Sequence, residues 1–289
     1  MTQRKLSRGK RFLAGLVATF IVLLVVVVTG ELMVRFLSPR PSMYPRWQFS
    51  ERYGAMLYPD RTMVHECPGR WRFEYHTNAY QCRGRLVPIS NSYERRNVIV
   101  LGDSYSFGTG VADDDVYAAV LSERLGDGYD VVNCAVGGWG PTQHIRRFYE
   151  FGRLYDPVAV VLQFCDNDPR DNFKNRVTVI EDGRFRFRDS KFRLNFIKRF
   201  LSDSILQKSQ LYNLVRDPIY LIFARRTLAE EIRQAGAGDS GEVPADQRLY
   251  NELVELFARD LSKRGISLHM ISVDGQMEAL PYIDAKVRE

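Results

Sequence analysis

Hydrophobic and polar positions divide this chain into three stretches of different character. From Phe12 to Gly30 there is no charge, and Val, Leu, Ile and Phe dominate. No polar face runs along this stretch, unlike the amphipathic helix of a protein surface. A spanning helix needs roughly 20 apolar residues to cross about 30 Å of hydrocarbon. Leu32 to Leu37 prolong the run around Glu31 and Arg35, so residues 12–37 are read as a transmembrane signal anchor. A cleaved signal peptide is the alternative, but its apolar region would be shorter and no small-x-small site follows the run.

Residues 38–95 are read as a juxtamembrane connection and a small β-rich preamble. Pro39, Pro41, Pro45 and Pro59 keep the first part extended, and Trp71 to Tyr75 alternates as a half-buried strand does. From residue 96 the pattern changes to short apolar runs separated by helical periods. Val98–Leu101, Val131–Val136 and Val158–Phe164 are continuous apolar runs, as buried parallel strands require. Between them lie a helical pattern from Val116 to Leu125, stopped by Gly126, and a helix opened by Pro141 and running to about Tyr155. Alternating strands and helices predict an α/β domain over 96–289 with a parallel sheet.

Further on, Val177–Ile180 and Phe185–Phe187 flank Asp182-Gly183 as a tight hairpin would. Helical stretches are expected near 191–202 and 204–229, a loop over 235–246, an amphipathic helix over Gln247–Arg264 and a strand over Ile266–Val273. Residues 172–265 are read as a cap insertion that sets specificity.

Charge changes the picture only at the N-terminus. The formal net charge is +6, and Arg4, Lys5, Arg8, Lys10 and Arg11 supply five of those charges with no acid among them. The folded part is thus close to neutral, which argues against nucleic acid as a partner. A basic tail over 1–11 ahead of the apolar run predicts a cytoplasmic N-terminus in the inner (plasma) membrane and a periplasmic or extracellular domain. The lipid bilayer is then the first expected partner.

Cys134 and Cys165 fall at core positions and read as small buried hydrophobes. Cys67 and Cys82 flank a short aromatic segment and could pair in an oxidising compartment. No Cys-x-x-Cys occurs, so zinc is not expected. Asp113 to Asp115 admits a metal reading, but an acidic helix start favoured by the helix dipole explains it better. Nothing calls for a cofactor.

The chemistry concentrates at the strand ends. Ligands of an open α/β sheet bind outside the carboxyl ends of its strands. Val98–Leu101 runs into Gly102-Asp103-Ser104, where a serine is well placed to act as a nucleophile. Its neighbour Asp103 is expected to orient the turn rather than move a proton. Taken alone, Ser104 could be a helix N-cap, Gly138 a turn residue and Asn167 the start of an Asx-turn. Position 106 is Ser, so this is not the Gly-x-Ser-x-Gly elbow of α/β-hydrolases.

Three segments together resemble the SGNH (GDSL-like) hydrolases. Gly102-Asp103-Ser104 resembles block I of that family. Asn133-Cys-Ala-Val-Gly-Gly138 resembles block II, and Pro157 to Asp168, with its Asn167-Asp168 pair, resembles block III. The match covers roughly residues 97–172. It implies a flavodoxin-like three-layer α/β/α fold with Ser104 as the nucleophile of a serine esterase. The oxyanion hole it implies uses the Ser104 N–H, the Gly138 N–H and the Asn167 side-chain amide. An amide donates there without carrying charge.

The departure from the family is its C-terminal Asp-x-x-His, which supplies the base and the group that orients it. No Asp-x-x-His occurs among these residues. The four histidines are His65, His76, His144 and His269. The first two precede the core, His144 is expected to face solvent or the rim of a substrate site, and His269 lies within a strand. The expectation is a chain that is incomplete at its C-terminus. An ester is the expected substrate, with an O-acetyl group of an envelope or exported polysaccharide as the specific candidate. Two other functions stay open: an O-acetyltransferase on the same fold, and a non-catalytic glycan-binding module using Arg184, Arg186 and Arg188.

Overall fold

Val98 to Leu101 are all buried, because helices cover both faces of the sheet at whose centre they lie. The computed structural model describes residues 8–89, 95–165, 168–174, 176–190, 204–219, 222 and 245–273. Helix α1 (Arg8–Leu37) precedes two small antiparallel pairs, β1 (Gln48–Ser50) with β2 (Gly54–Met56) and β3 (Arg61–Cys67) with β4 (Trp71–Thr77). Then come β5 (Arg96–Leu101), α2 (Ser104–Phe107), α3 (Tyr117–Leu125), β6 (Tyr129–Asn133), α4 (Pro141–Glu150) and β7 (Ala159–Phe164). The chain continues through α5 (Asp168–Lys174), β8 (Thr178–Glu181), β9 (Arg184–Phe187), α6 (Ala245–Lys263) and β10 (Ser267–Ser272).

Strands β10, β7, β5 and β6 lie side by side in that order, all parallel. The first strand of the α/β unit therefore sits between the second and the third, and the connections leave it toward opposite faces. That is the switch point at which open α/β sheets bind ligands. Ile99, Leu101, Val132, Val160 and Leu162 face α4 and α6. Val98, Val100 and Val161 face α3. Period-two alternation on each strand thus feeds two cores, giving three layers. Leu253, Phe257 and Leu261 of α6 recur at helical spacing and are fully buried on the sheet, each contributing roughly 1.5–3 kcal/mol.

Two elements end earlier than their hydrophobic pattern suggests. Strand β6 stops at Asn133, whose side-chain oxygen accepts from Ala135 N at 3.2 Å and turns the chain. Helix α4 stops at Glu150, and Gly152–Tyr155 forms a separate 3-10 turn. Within the expected helical stretch 204–229, Ile205–Lys208 forms a 3-10 turn and residues 210–219 are helical, whereas 191–202, 220–221, 223–229 and nearly all of the 235–246 loop lie outside the described residues.

Among the described residues α1 is the one helix long and apolar enough to cross a membrane, and its most apolar stretch is not buried by protein. Thirty residues extend about 45 Å at 1.5 Å per residue, more than a bilayer core. Its C-terminal turn is tied to the domain. Glu31 accepts from Ser209 Oγ at 2.7 Å, Gln210 N at 2.9 Å and Leu211 N at 3.0 Å. It thereby caps the helical residues 210–219.

Candidate active site

Ser104 opens α2, one short turn at the carboxyl end of β5. The cap of that turn is Asp103, whose carboxylate accepts from Tyr105 N at 2.9 Å. Ser104 is therefore not spent on capping. Its hydroxyl is partly exposed and has no hydrogen-bond partner among the described residues. Burial raises the Asp103 carboxyl above its usual range, against the pull of the Tyr105 N–H.

The turn is held from below by two strand-end amides. Gln163 of β7 accepts from Ser106 N at 3.1 Å and Ser106 Oγ at 2.9 Å. Asn133 of β6 donates to the Ser106 carbonyl at 2.8 Å. Gly102 makes this close approach possible, since a Cβ there would lie 2.2 Å from Ser106 Oγ and 2.8 Å from Gln163 Oε1. Gln163 escaped the reading of the sequence. Its signal is an amide inside the apolar run Val160 to Phe164, because a buried amide must find partners.

Arg83 holds the loop that follows. Its side chain is 1% exposed and its Nε donates to Asp113 at 2.9 Å. Nη1 donates to the Phe107 and Gly108 carbonyls at 2.6 and 2.5 Å, and Nη2 to the Val111 carbonyl at 2.6 Å. The guanidinium also lies 5.1 Å from the Tyr75 ring centroid and 5.0 Å from that of Phe107. Asp113 in turn accepts from the backbone N–H of His76 and pairs with its ring. Its carboxylate is thus engaged structurally, and no metal-ligand group occurs among the described residues.

Across from the serine runs Ala135-Val136-Gly137-Gly138. A Cβ on Gly137 would sit 3.6 Å from Ser104 Cβ, so Gly137 lies directly beside the serine. Gly138 follows at φ +82°, with open space around it. Only glycine adopts that φ without strain. Asn167 lies outside the described residues. Beside Gly137 a small cleft is lined by Arg46, Trp47, Tyr75, Phe107 and Thr109 among others. The preamble thus supplies one wall of the space next to the serine.

The histidines are placed elsewhere. His144 does not face solvent or a substrate rim: it is fully buried, with its ring 6.4 Å from that of Trp139. The reason is that α4 turns that face onto the sheet, where Ile145 and Phe148 are buried as well. Burial pushes His144 down to about 3, against an interaction with the Gly102 backbone. His65 Nε2 lies 2.9 Å from the Pro45 carbonyl and 3.2 Å from Tyr75 Oη, and burial lowers it to about 4. His76 is paired with Asp113, and His269 is exposed on β10. No histidine is hydrogen-bonded to Ser104 among the described residues.

Cys67 and Cys82 are not paired. Cys67 Sγ faces the Pro39 carbonyl at 3.6 Å, whereas Cys82 Sγ lies 2.9 Å from Cys134 Sγ. Cys82 belongs to the core on the α4 side of the sheet, whereas Cys67 ends β3 outside that core.

No family model and no curated protein matches the chain. Among solved structures, AlinE4, an SGNH-hydrolase family esterase, is 16% identical, with a TM-score of 0.27 over 65% of this chain and 80% of its own. TesA is 17% identical, with a TM-score of 0.24 over 58% of this chain and 99% of its own. Likenesses this slight assign no family, so the chemistry of the site is read from its own residues.

Proposed function

We propose that this chain is a membrane-anchored serine esterase of SGNH type with Ser104 as its nucleophile. The observation that carries the reading is the placement of Ser104. Its hydroxyl is uncommitted at the carboxyl end of the central parallel strand, against Gly137, on a turn that buried amides fix. A rigid first turn with a hydroxyl free of hydrogen bonds is what acyl transfer needs.

In the proposed step Ser104 Oγ attacks the ester carbonyl carbon and its proton leaves to a base. The carbonyl oxygen becomes an oxyanion, received by the N–H groups of Ser104 and Gly138 and by the amide of Asn167. Collapse expels the alcohol and leaves an acyl-serine, which water then hydrolyses. If a sugar hydroxyl replaces water, the same intermediate gives an O-acetyltransferase. None of the four histidines is hydrogen-bonded to Ser104, so among the described residues no histidine is assigned to take this proton. An acylated envelope polysaccharide suits a domain held at a membrane by α1 and carried across it. The basic tail sets that orientation.

The lack of a base among the described residues favours a second reading, a glycan-binding module of the same fold. One experiment separates them. The full chain in detergent is treated with a fluorophosphonate and assayed with p-nitrophenyl acetate, beside Ser104→Ala. The esterase predicts covalent labelling at Ser104, and hydrolysis that falls at least about 100-fold in the variant. Full hydrolysis by Ser104→Ala would refute the serine mechanism. A wild type that neither labels nor hydrolyses but retains an acylated polysaccharide would establish the binding module.

A further inference from the structure

We infer that Cys82 and Cys134 are a disulfide site that ties the preamble to the sheet beside the serine. This inference stands apart from the esterase reading, since it uses neither Ser104 nor a substrate. Arg83 bridges Asn133 in antiparallel register, with Arg83 N donating to the Asn133 carbonyl at 3.0 Å. One step along that register Cys82 lies directly opposite Cys134. Cys82 N bonds to Asn78 Oδ1 at 3.1 Å and Cys134 N to the Val100 carbonyl at 2.9 Å, so neither bonds the other. Opposed residues of this non-hydrogen-bonded kind have Cα atoms about 4.5 Å apart. That separation lies within the range a disulfide spans.

Both side chains are fully buried and their sulfurs are 2.9 Å apart. A buried apolar pair would gain nothing from so close an approach unless the sulfurs interact. Arg147 adds the chemistry. Its guanidinium is buried, packs 3.9 Å over the Phe151 ring and donates from Nη2 to Cys82 Sγ at 3.4 Å. Burial opposes ionisation of Cys82, but Cys134 and Arg147 overcome it and bring that thiol down to about 7. Cys134 is pushed up by burial. With the guanidinium beside it, Cys82 is the better placed of the two sulfurs to ionise.

The oxidant is a disulfide donor, RS–SR. Cys82 thiolate attacks one donor sulfur and expels RS⁻, giving a mixed disulfide. Cys134 then loses its proton, attacks Cys82 Sγ and expels the second RS⁻. Two protein thiols become one disulfide, and the donor is reduced by two electrons to two thiols. Burial confines the exchange to folding or local opening. Once formed, the bond closes a loop between positions 52 residues apart. It fixes the backbone next to Arg83 and just ahead of Gly137 and Gly138.

The test uses the full chain in detergent. It is equilibrated with oxidised glutathione, denatured without reductant, alkylated and mapped by mass spectrometry. The expected result is alkylation at Cys67 and Cys165 and a linked peptide joining Cys82 to Cys134. Dithiothreitol should then lower Tm by on the order of 10 °C. A Cys67→Ser chain should keep both the link and the shift. Alkylation at all four cysteines, or a link to Cys67 or Cys165, would overturn the inference. So would a Tm indifferent to reduction, because the bond would then tie nothing.

Discussion

Two arginine-bearing regions flank the strand ends, and their physics is opposite. Arg83 is buried, and every donor of its guanidinium ends on an oxygen between Phe107 and Asp113, at the end of the serine turn and in the loop that follows it. The β8–β9 hairpin carries Arg184, Arg186 and Arg188 on its exposed side, where Arg188 pairs with Glu181. One region uses charge to build a frame, the other to stay wet. A buried guanidinium that lost its acceptors would leave uncompensated charge, whereas an exposed one always has water. The count of arginines in a segment therefore says little, and the burial of each says nearly everything.

The sharpest way to break the contrast is Arg83→Ala. It leaves Asp113 with only its His76 partners and three carbonyls without their donor, and is expected to cost about 3–5 kcal/mol. Chemical denaturation of the detergent-solubilised chain would measure it. Arg83→Lys should recover less than half of that loss, because an ammonium cannot reproduce the planar fork. Recovery of full stability by Lys would mean that charge alone matters, and the frame would then be no frame.

This frame marks the limit of what the sequence discloses. The α/β domain was legible because continuous apolar runs and helical periods are one-dimensional signals. Val98–Leu101, Gly126, Pro141 and Asp182-Gly183 each report their own local geometry. At Asp182 and Gly183 φ is +51° and +68°, as a tight hairpin turn requires. The candidate nucleophile was legible as a serine placed where a strand ends. Arg83 and Gln163 were not, because their roles arise from residues far along the chain. Arg83 meets Phe107 to Asp113 only through the tertiary fold, 24 to 30 residues along the chain. His144 shows the same limit. A histidine beside arginines on a helix suggests a wet face, and only the packing of α4 on β5 buries it.

That burial gives a pH-dependent prediction of intermediate size. His65 and His144 are held neutral at about 4 and about 3, below the ordinary value of 6.5. The unfolded chain therefore binds protons below pH 6.5 that the folded chain refuses. Stability from this source is full above pH 6.5 and falls as pH drops toward the folded values. Between pH 6.5 and 5 each histidine should cost about 2 kcal/mol. Asp103 works in the opposite sense, since burial raises its carboxyl. Urea midpoints at the two pH values would show the slope, and His144→Phe should remove about half of it. An unchanged slope in that variant would mean His144 titrates freely.

The smallest effect is expected at the hairpin. Among the described residues Arg184 and Arg186 have no ion pair, and both are exposed. Replacing both by serine should change stability by less than about 0.5 kcal/mol. Arg188→Ser should cost no more than about 1 kcal/mol, the worth of its pair with Glu181. Its backbone carbonyl would still accept from Arg146 at 2.7 Å. The same variants probe the binding-module reading through a different readout. If an anionic polysaccharide binds this face, its affinity should fall at least 10-fold in the double variant while the unfolding midpoint stays put. If neither quantity moves, the arginines serve only to keep a hairpin edge solvated. The contrast with Arg83 is then complete: the same side chain is indispensable where it is buried and dispensable where it is not.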